Sequence, residues 1–401
     1  MITQLKKTSQ ILLLLIPFLF SCNETTDTKN RISEKKDIQI IDSSNTVSQV
    51  KENPKLDDLC SIISGVKPTV NVDYSAVINN KNWISFSSNL TSRFNKLDSS
   101  RISKIKIWRD SEIADISKKS TTIFYPFSGP DFLNAFTFFP YQEKIYMFAL
   151  EAPGELPSLN ELENDTSYFS SIDKSLWSIL NFSFFRTNSM KVDLKARDLN
   201  GAVHLISLFV KKTGNKIVNI KPIDLDERGK IISKKDYSKC FAKAIQIVYL
   251  NNVTKKRSEI FYFSCDLSDA AMLKNDCLRN MIINLNNGYT TYLKSASYLL
   301  HNGNFSWTRK MILSNSKNIL QDDSGIPLKF VDSTWNKTFF GTYDKPISLF
   351  KNKFQEDLKL AYLPTNSNVK SLPFGIGYDY KLNESNLMLF SKRPLTKNLK
   401  K

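Results

Sequence analysis

The chain has 401 residues, 41% of them hydrophobic and 12% aromatic, with a formal net charge of +17. That composition excludes a disordered chain, and the length suffices for one large domain or two ordinary ones. The charge does not signal nucleic-acid binding: only 11 of the 56 basic residues are Arg, the Lys residues are scattered, and no basic helix or Arg-aromatic module is present.

The N-terminus reads as an export signal. Lys6 and Lys7 precede the apolar run Ile11–Phe20, which has the length of a signal-peptide core and is short for a bilayer span. It ends in Leu19-Phe20-Ser21-Cys22, which resembles a bacterial lipobox. The resemblance implies cleavage before Cys22, diacylation of its thiol and a membrane partner held through that lipid. Asn23 in place of Asp implies sorting to the outer membrane. Residues 1–21 are therefore expected to be a lipoprotein signal peptide and residues 22–55 a polar tether, too poor in apolar surface to fold. Outside the cytoplasm Cys60, Cys240, Cys265 and Cys277 allow two disulfides in three pairings. With only His204 and His301, far apart in sequence, a zinc site built on His and Cys is not expected.

Residues 56–119 read as a helical N-terminal segment, with apolar residues at three- and four-residue spacing. From 120 to 393 the pattern is α/β with a mixed sheet. "TTIFYPF" reads as a strand, "PDFLNAFTFF" as a short helix with Pro130 at its first position, and "KIYMFALE" as a second strand. Helices follow around Trp177 and in "ARDLNGAVHLISLFVKKTG", then a strand in "NKIVNIKPIDL" and an antiparallel pair across "NNVTKKRS". "AAMLKNDCLRNMIINLN" and "FSWTRKMILSNS" read as helices, "TTYLKSASYLLH" is ambiguous, and "KNILQDDSGIP" is a strand running into an acidic turn. The C-terminal stretch reads as turns with one helix.

The strand, Gly turn, helix and acid-ended strand from 121 to 151 make a Rossmann-like first half, similar to the nucleotide-binding half of a class I methyltransferase. Ser128 and Gly129 stand where amides face an anion, and Glu151 lies where an acid holds a ribose hydroxyl. Against that, the turn has one Gly, Pro130 lacks an amide hydrogen and the helix is short, so packing is favoured and no cofactor is assigned. In "LQDDSGIP", Asp322 and Asp323 are acid/base candidates with Asp131 or oxygen ligands for a hard cation, and Gln321, Ser324 and Gly325 add polar groups or simply form a turn. Asp269 reads as a helix cap. Ser295, Tyr298 and His301 share one segment, but no G-x-S-x-G elbow exists and His301 reads as an ordinary hydrogen-bonded residue. Tyr343 and Tyr378 are candidates for stacking on a sugar, with packing as the default.

The motifs "YPFSGPDF", "ALEAPGELP", "KSASYLLH", "LQDDSGIP", "FGTYDKPISLF" and "LPFGIGY" together resemble a family of Gram-negative envelope lipoproteins of unassigned activity. The resemblance implies location rather than mechanism. The expectation is an outer-membrane lipoprotein with a site at Ser128–Asp131, Glu151 and Gln321–Gly325 for a polar envelope ligand such as a glycan. The alternatives are a Rossmann-like hydrolase or transferase, and a structural component bound to an envelope protein partner. Either kind of site requires the turns at 128, 151 and 322 to meet in one cleft.

Overall fold

The computed structural model describes residues 51–69, 74–164, 167–184, 199–234, 240, 243–285, 288–363, 365 and 369–393. The lipobox and most of the tether lie outside them. Eleven strands are described: β1 Thr122–Tyr125, β2 Lys144–Ala149, β3 Lys216–Leu225, β4 Ile231–Ser233, β5 Lys243–Leu250, β6 Arg257–Ser264, β7 Tyr289–Leu293, β8 Ser316–Gln321, β9 Trp335–Gly341, β10 Val369–Lys370 and β11 Asn386–Lys392. They form one sheet in the order β10-β9-β11-β8-β7-β1-β2-β6-β5-β3-β4.

The five central strands, β8-β7-β1-β2-β6, run parallel. Antiparallel pairings flank them on both sides, β6 with β5 and β8 with β11. The fold is thus α/β with a mixed sheet. β1 and β2, at the centre, are apolar on both faces because helices cover both. Period-two alternation sends Ile123, Tyr125, Ile145, Met147 and Tyr292 into one core, and Phe124, Tyr146, Phe148 and Leu293 into the other.

The N-terminal helices Pro54–Ile63, Lys81–Leu97 and Ser103–Glu112 bury Cys60, Trp83 and Trp108 in the first core. Trp108 stands edge-on to Phe138, Phe340 and Phe374, which joins this segment to the sheet and to the C-terminal turns. The second core is roofed by the helices Asp269–Lys274, Asp276–Asn284 and Ser306–Asn315.

Four expectations change. The single helix expected at 270–286 is two, because Asn275 leaves helical geometry and caps the second through Leu278 N. Pro130 is not the first helical residue; Asp131 is the N-cap of the helix Phe132–Phe138, its Oδ1 accepting from Asn134 N at 3.1 Å. The C-terminal stretch contributes β9, β10 and β11. One disulfide is described, Cys240–Cys277, while Cys60 and Cys265 are free thiols.

Candidate functional site at the carboxyl edge of the sheet

Chain order along the sheet reverses beside β1: β2 lies on one side and β7 on the other. In open α/β sheets the crevice outside the carboxyl ends at such a switch point is where ligands bind. A cavity of about 250 Å³ lies there, lined by the residues that follow β1, β2, β6 and β7. Its walls are mostly apolar, with Phe127, Phe148, Leu150, Leu267, Leu299 and Phe305. Its polar groups are Ser128, Asp131, Glu151, Asp266, Lys294 and Ser295.

The turn after β1 is sharply bent. Phe127 and Gly129 have φ of 57° and 55°. Glycine adopts this region freely, but a phenylalanine there is strained and must be held. Ser128 does the holding: its N–H donates to Phe148 O at 2.9 Å and its Oγ to Gly129 O at 2.8 Å.

Lys294 and Asp131 form a second clamp. Lys294 Nζ lies 2.5 Å from Asp131 Oδ2 and 2.6 Å from Ser183 O, with both side chains all but fully buried. Burial, which disfavours the ammonium, lowers the Lys294 pKa despite the Asp131 charge. Asp131 also accepts from Tyr125 Oη at 3.0 Å and from the Asn134 amide. Its carboxylate occupies the N-terminus of the helix Phe132–Phe138, so an anion expected at that end has been displaced by the chain's own acid.

Ser295 follows Lys294 and has φ 59° and ψ −88°, between the end of β7 and the 3-10 helix Ala296–His301. It is 5% exposed, and its Oγ makes no hydrogen bond. Its N–H donates to Asp322 Oδ2 at 3.1 Å. Asp322 Oδ1 accepts from Ser324 N at 3.1 Å and from Ser324 Oγ. Burial, with the neighbouring Asp323 carboxylate adding, pushes Asp322 up to about 7. Asp323 is also raised by burial; it accepts from Tyr298 Oη and is held by Asn386.

The expected residues therefore divide. Ser128, Gly129, Asp131 and Glu151 share the cavity. Asp322 stands behind it, touching it through the Ser295 amide. Gln321, Ser324 and Gly325 do not line it; Gln321 spans the turn with two bonds to Ile326, at 2.9 and 2.8 Å, over a close-packed Gly325. Asp323 faces Tyr298 and Asn386 rather than the cavity. Asp269 receives the Ser306 and Trp307 amides, so it caps the distant helix Ser306–Asn315 rather than its own. His301 packs edge-on to Tyr298; burial, then the Lys353 charge, lowers it to about 4, and its Nε2 makes no hydrogen bond. Tyr343 is buried, and Tyr378 packs among Phe184, Tyr298 and Phe350, so neither offers an open stacking face. Lys294 was missed altogether. A lysine after "TTYL" carries no sign of burial, and its partner is 163 residues away.

The chain matches no protein-family model, and no curated protein matches it.

Proposed function

We propose that the cavity at the carboxyl edge of β1, β2, β6 and β7 binds a small molecule with an apolar body and a polar head. The observation that carries this is the combination of aromatic and aliphatic walls with convergent polar groups at the switch point. Such walls favour an amphipathic ligand over an open glycan, which would leave its hydroxyls unpaired against Phe148 and Phe305. Further, we propose that the chain works in the bacterial envelope, on the outer membrane, tethered through lipid on Cys22. The residues Leu19–Cys22 support this, as does the Cys240–Cys277 bridge, which suits an oxidising compartment. Among the described residues no helix is long and apolar enough to cross a membrane.

The test is binding of 1-anilinonaphthalene-8-sulfonate and its displacement by octanoate, in the parent and in Leu299→Trp. Leu299 is partly exposed at the cavity, so an indole there fills space without opening the core. Saturable binding lost in the variant, at unchanged melting temperature, supports the site. Binding equal in both proteins moves the ligand elsewhere. Palmitate incorporation lost in Cys22→Ala tests the tether.

A further inference from the structure

We infer that Ser295 is a nucleophile for acyl transfer, and that the cavity takes esters whose apolar acyl chain lies along Phe148, Leu267 and Phe305. The inference rests on the binding reading above and adds a reaction to it.

Three observations converge on Ser295. It occupies a left-handed conformation that non-glycine residues rarely adopt, on a sharp turn from a parallel strand into a helical segment. Its hydroxyl is buried without a partner, a state that costs free energy and calls for an explanation. It lines the crevice at the switch point of the sheet, where ligands bind in open α/β folds. A strained strand-to-helix turn that presents a serine at the carboxyl edge of a parallel sheet is the geometry of a nucleophile elbow. Of the two small flanking residues usual in that motif one is present, Ser297 two positions after, while Leu293 stands two positions before. Here the strain is held from outside instead, by Asp322 on the Ser295 amide and by the buried Lys294 pair next to it. The bent turn Phe127–Gly129 lies on the adjacent strand, where a second loop borders the reacting carbonyl in this arrangement.

The chemistry balances with water as the only co-reactant. Ser295 Oγ bonds to the ester carbonyl carbon while its proton passes through one bridging water, the relay for each later transfer too, to the Asp322 carboxylate, which holds the Ser295 amide but not Oγ. The carbon–oxygen bond to the leaving alkoxide breaks, and Asp322 returns the proton to it as the alcohol departs. Water then adds to the acyl-serine, giving its proton to Asp322. Cleavage of the carbon–Oγ bond returns that proton to Ser295 and frees the carboxylic acid. An acid that ionises near neutrality suits this role.

The experiment treats the full-length protein in detergent with an alkyl fluorophosphonate and maps the adduct by peptide mass spectrometry, beside hydrolysis of p-nitrophenyl butyrate and octanoate. A single adduct on Ser295 is expected, with labelling and hydrolysis abolished in Ser295→Ala. Both rates should rise with pH through neutrality, and Asp322→Asn should lower them by about 10²- to 10⁴-fold while retaining a carbonyl acceptor for the Ser295 amide. No adduct, or an adduct on another residue, overturns the inference whatever the variants do. If the naphthalene dye binds but no adduct forms, the nucleophile falls and the binding site stands. If neither occurs, both fall.

Discussion

Lys294 and Asp131 meet 2.5 Å apart across the switch point, and neither side chain exceeds 3% exposure. The pair joins the end of β7 to the turn after β1, the two walls of the cavity. Removing one partner leaves the other charged and buried, at a cost of about 3–5 kcal/mol. Lys294→Met should therefore destabilise the chain by that amount in urea unfolding. Adding Asp131→Asn should recover part of it, because the stranded charge is gone. Strictly additive losses in this double-mutant cycle would show that the two residues are not coupled.

That clamp marks the boundary of what sequence could say. "TTIFYPF" and "KIYMFALE" were legible as strands because β-branched and aromatic runs ended in Gly, Pro and acidic residues. The cavity at their ends followed from topology, since a strand–helix–strand unit places both turns on one edge. The insertion of β7 beside β1 did not follow, because nothing local chooses a strand's neighbour. Burial of Lys294 and strain at Ser295 were hidden for the same reason. β9 and β11 were missed because "WNKTFFG" and "NLMLFSK" mix Lys and Asn with short apolar runs, and only pairing with each other and β8 decides them. Asp322 and Asp323 alternate faces as adjacent strand-end residues do, so only Asp322 reaches Ser295.

His204 gives a pH dependence. Its Nδ1 shares a 2.8 Å hydrogen bond with Tyr168 Oη, and burial lowers its pKa from 6.5 to about 4. The unfolded chain takes up a proton below its ordinary pKa while the folded chain resists until the lower one. Stability is thus full above pH 6.5 and falls as the pH drops toward 4, by about 3 kcal/mol at most from this residue. Melting temperature against pH should fall less steeply over that window in His204→Gln than in the parent. Parallel curves would remove His204 from the acid response.

Asp322 acts in the opposite sense. Its carboxyl is raised from 3.8 to about 7, so the folded state keeps the proton that the unfolded state releases. The parent therefore loses stability as pH rises from about 4 to about 7 on this account. Asp322→Asn cannot ionise, so the melting temperature of the variant relative to the parent should climb across that range and level off above it. A difference independent of pH would mean that Asp322 is ionised throughout.

The Cys240–Cys277 bridge closes a loop of 37 residues that contains β5 and β6. Cross-linking a loop of that length restricts the unfolded chain by about 3–4 kcal/mol. Cys240→Ser with Cys277→Ser should lower the urea midpoint by the corresponding amount. Cys60 and Cys265 are not bonded to each other, so reductant should then have no further effect on the double variant. A further loss on reduction would mean that a second bridge had formed.

Gly377, in "LPFGIGY", explains why that turn belongs to the site. Its φ is +70°, and a Cβ added there would sit 2.1 Å from Asp322 Oδ2. Asp322 cannot simply swing aside, because the same oxygen accepts the Ser295 amide and the other is held by Ser324. Gly377→Ala thus forces a choice between moving the turn and releasing Ser295. Backbone strain alone costs about 1–3 kcal/mol, and the clash adds to it. Gly303, where an added Cβ meets nothing within 4 Å, supplies the control, and Gly303→Ala should be close to neutral. In an Asp322→Ala background the added methyl finds room, so Gly377→Ala should cost less there than in the parent. Equal costs in the two backgrounds would assign the whole effect to backbone strain and uncouple Gly377 from the Asp322–Ser295 contact.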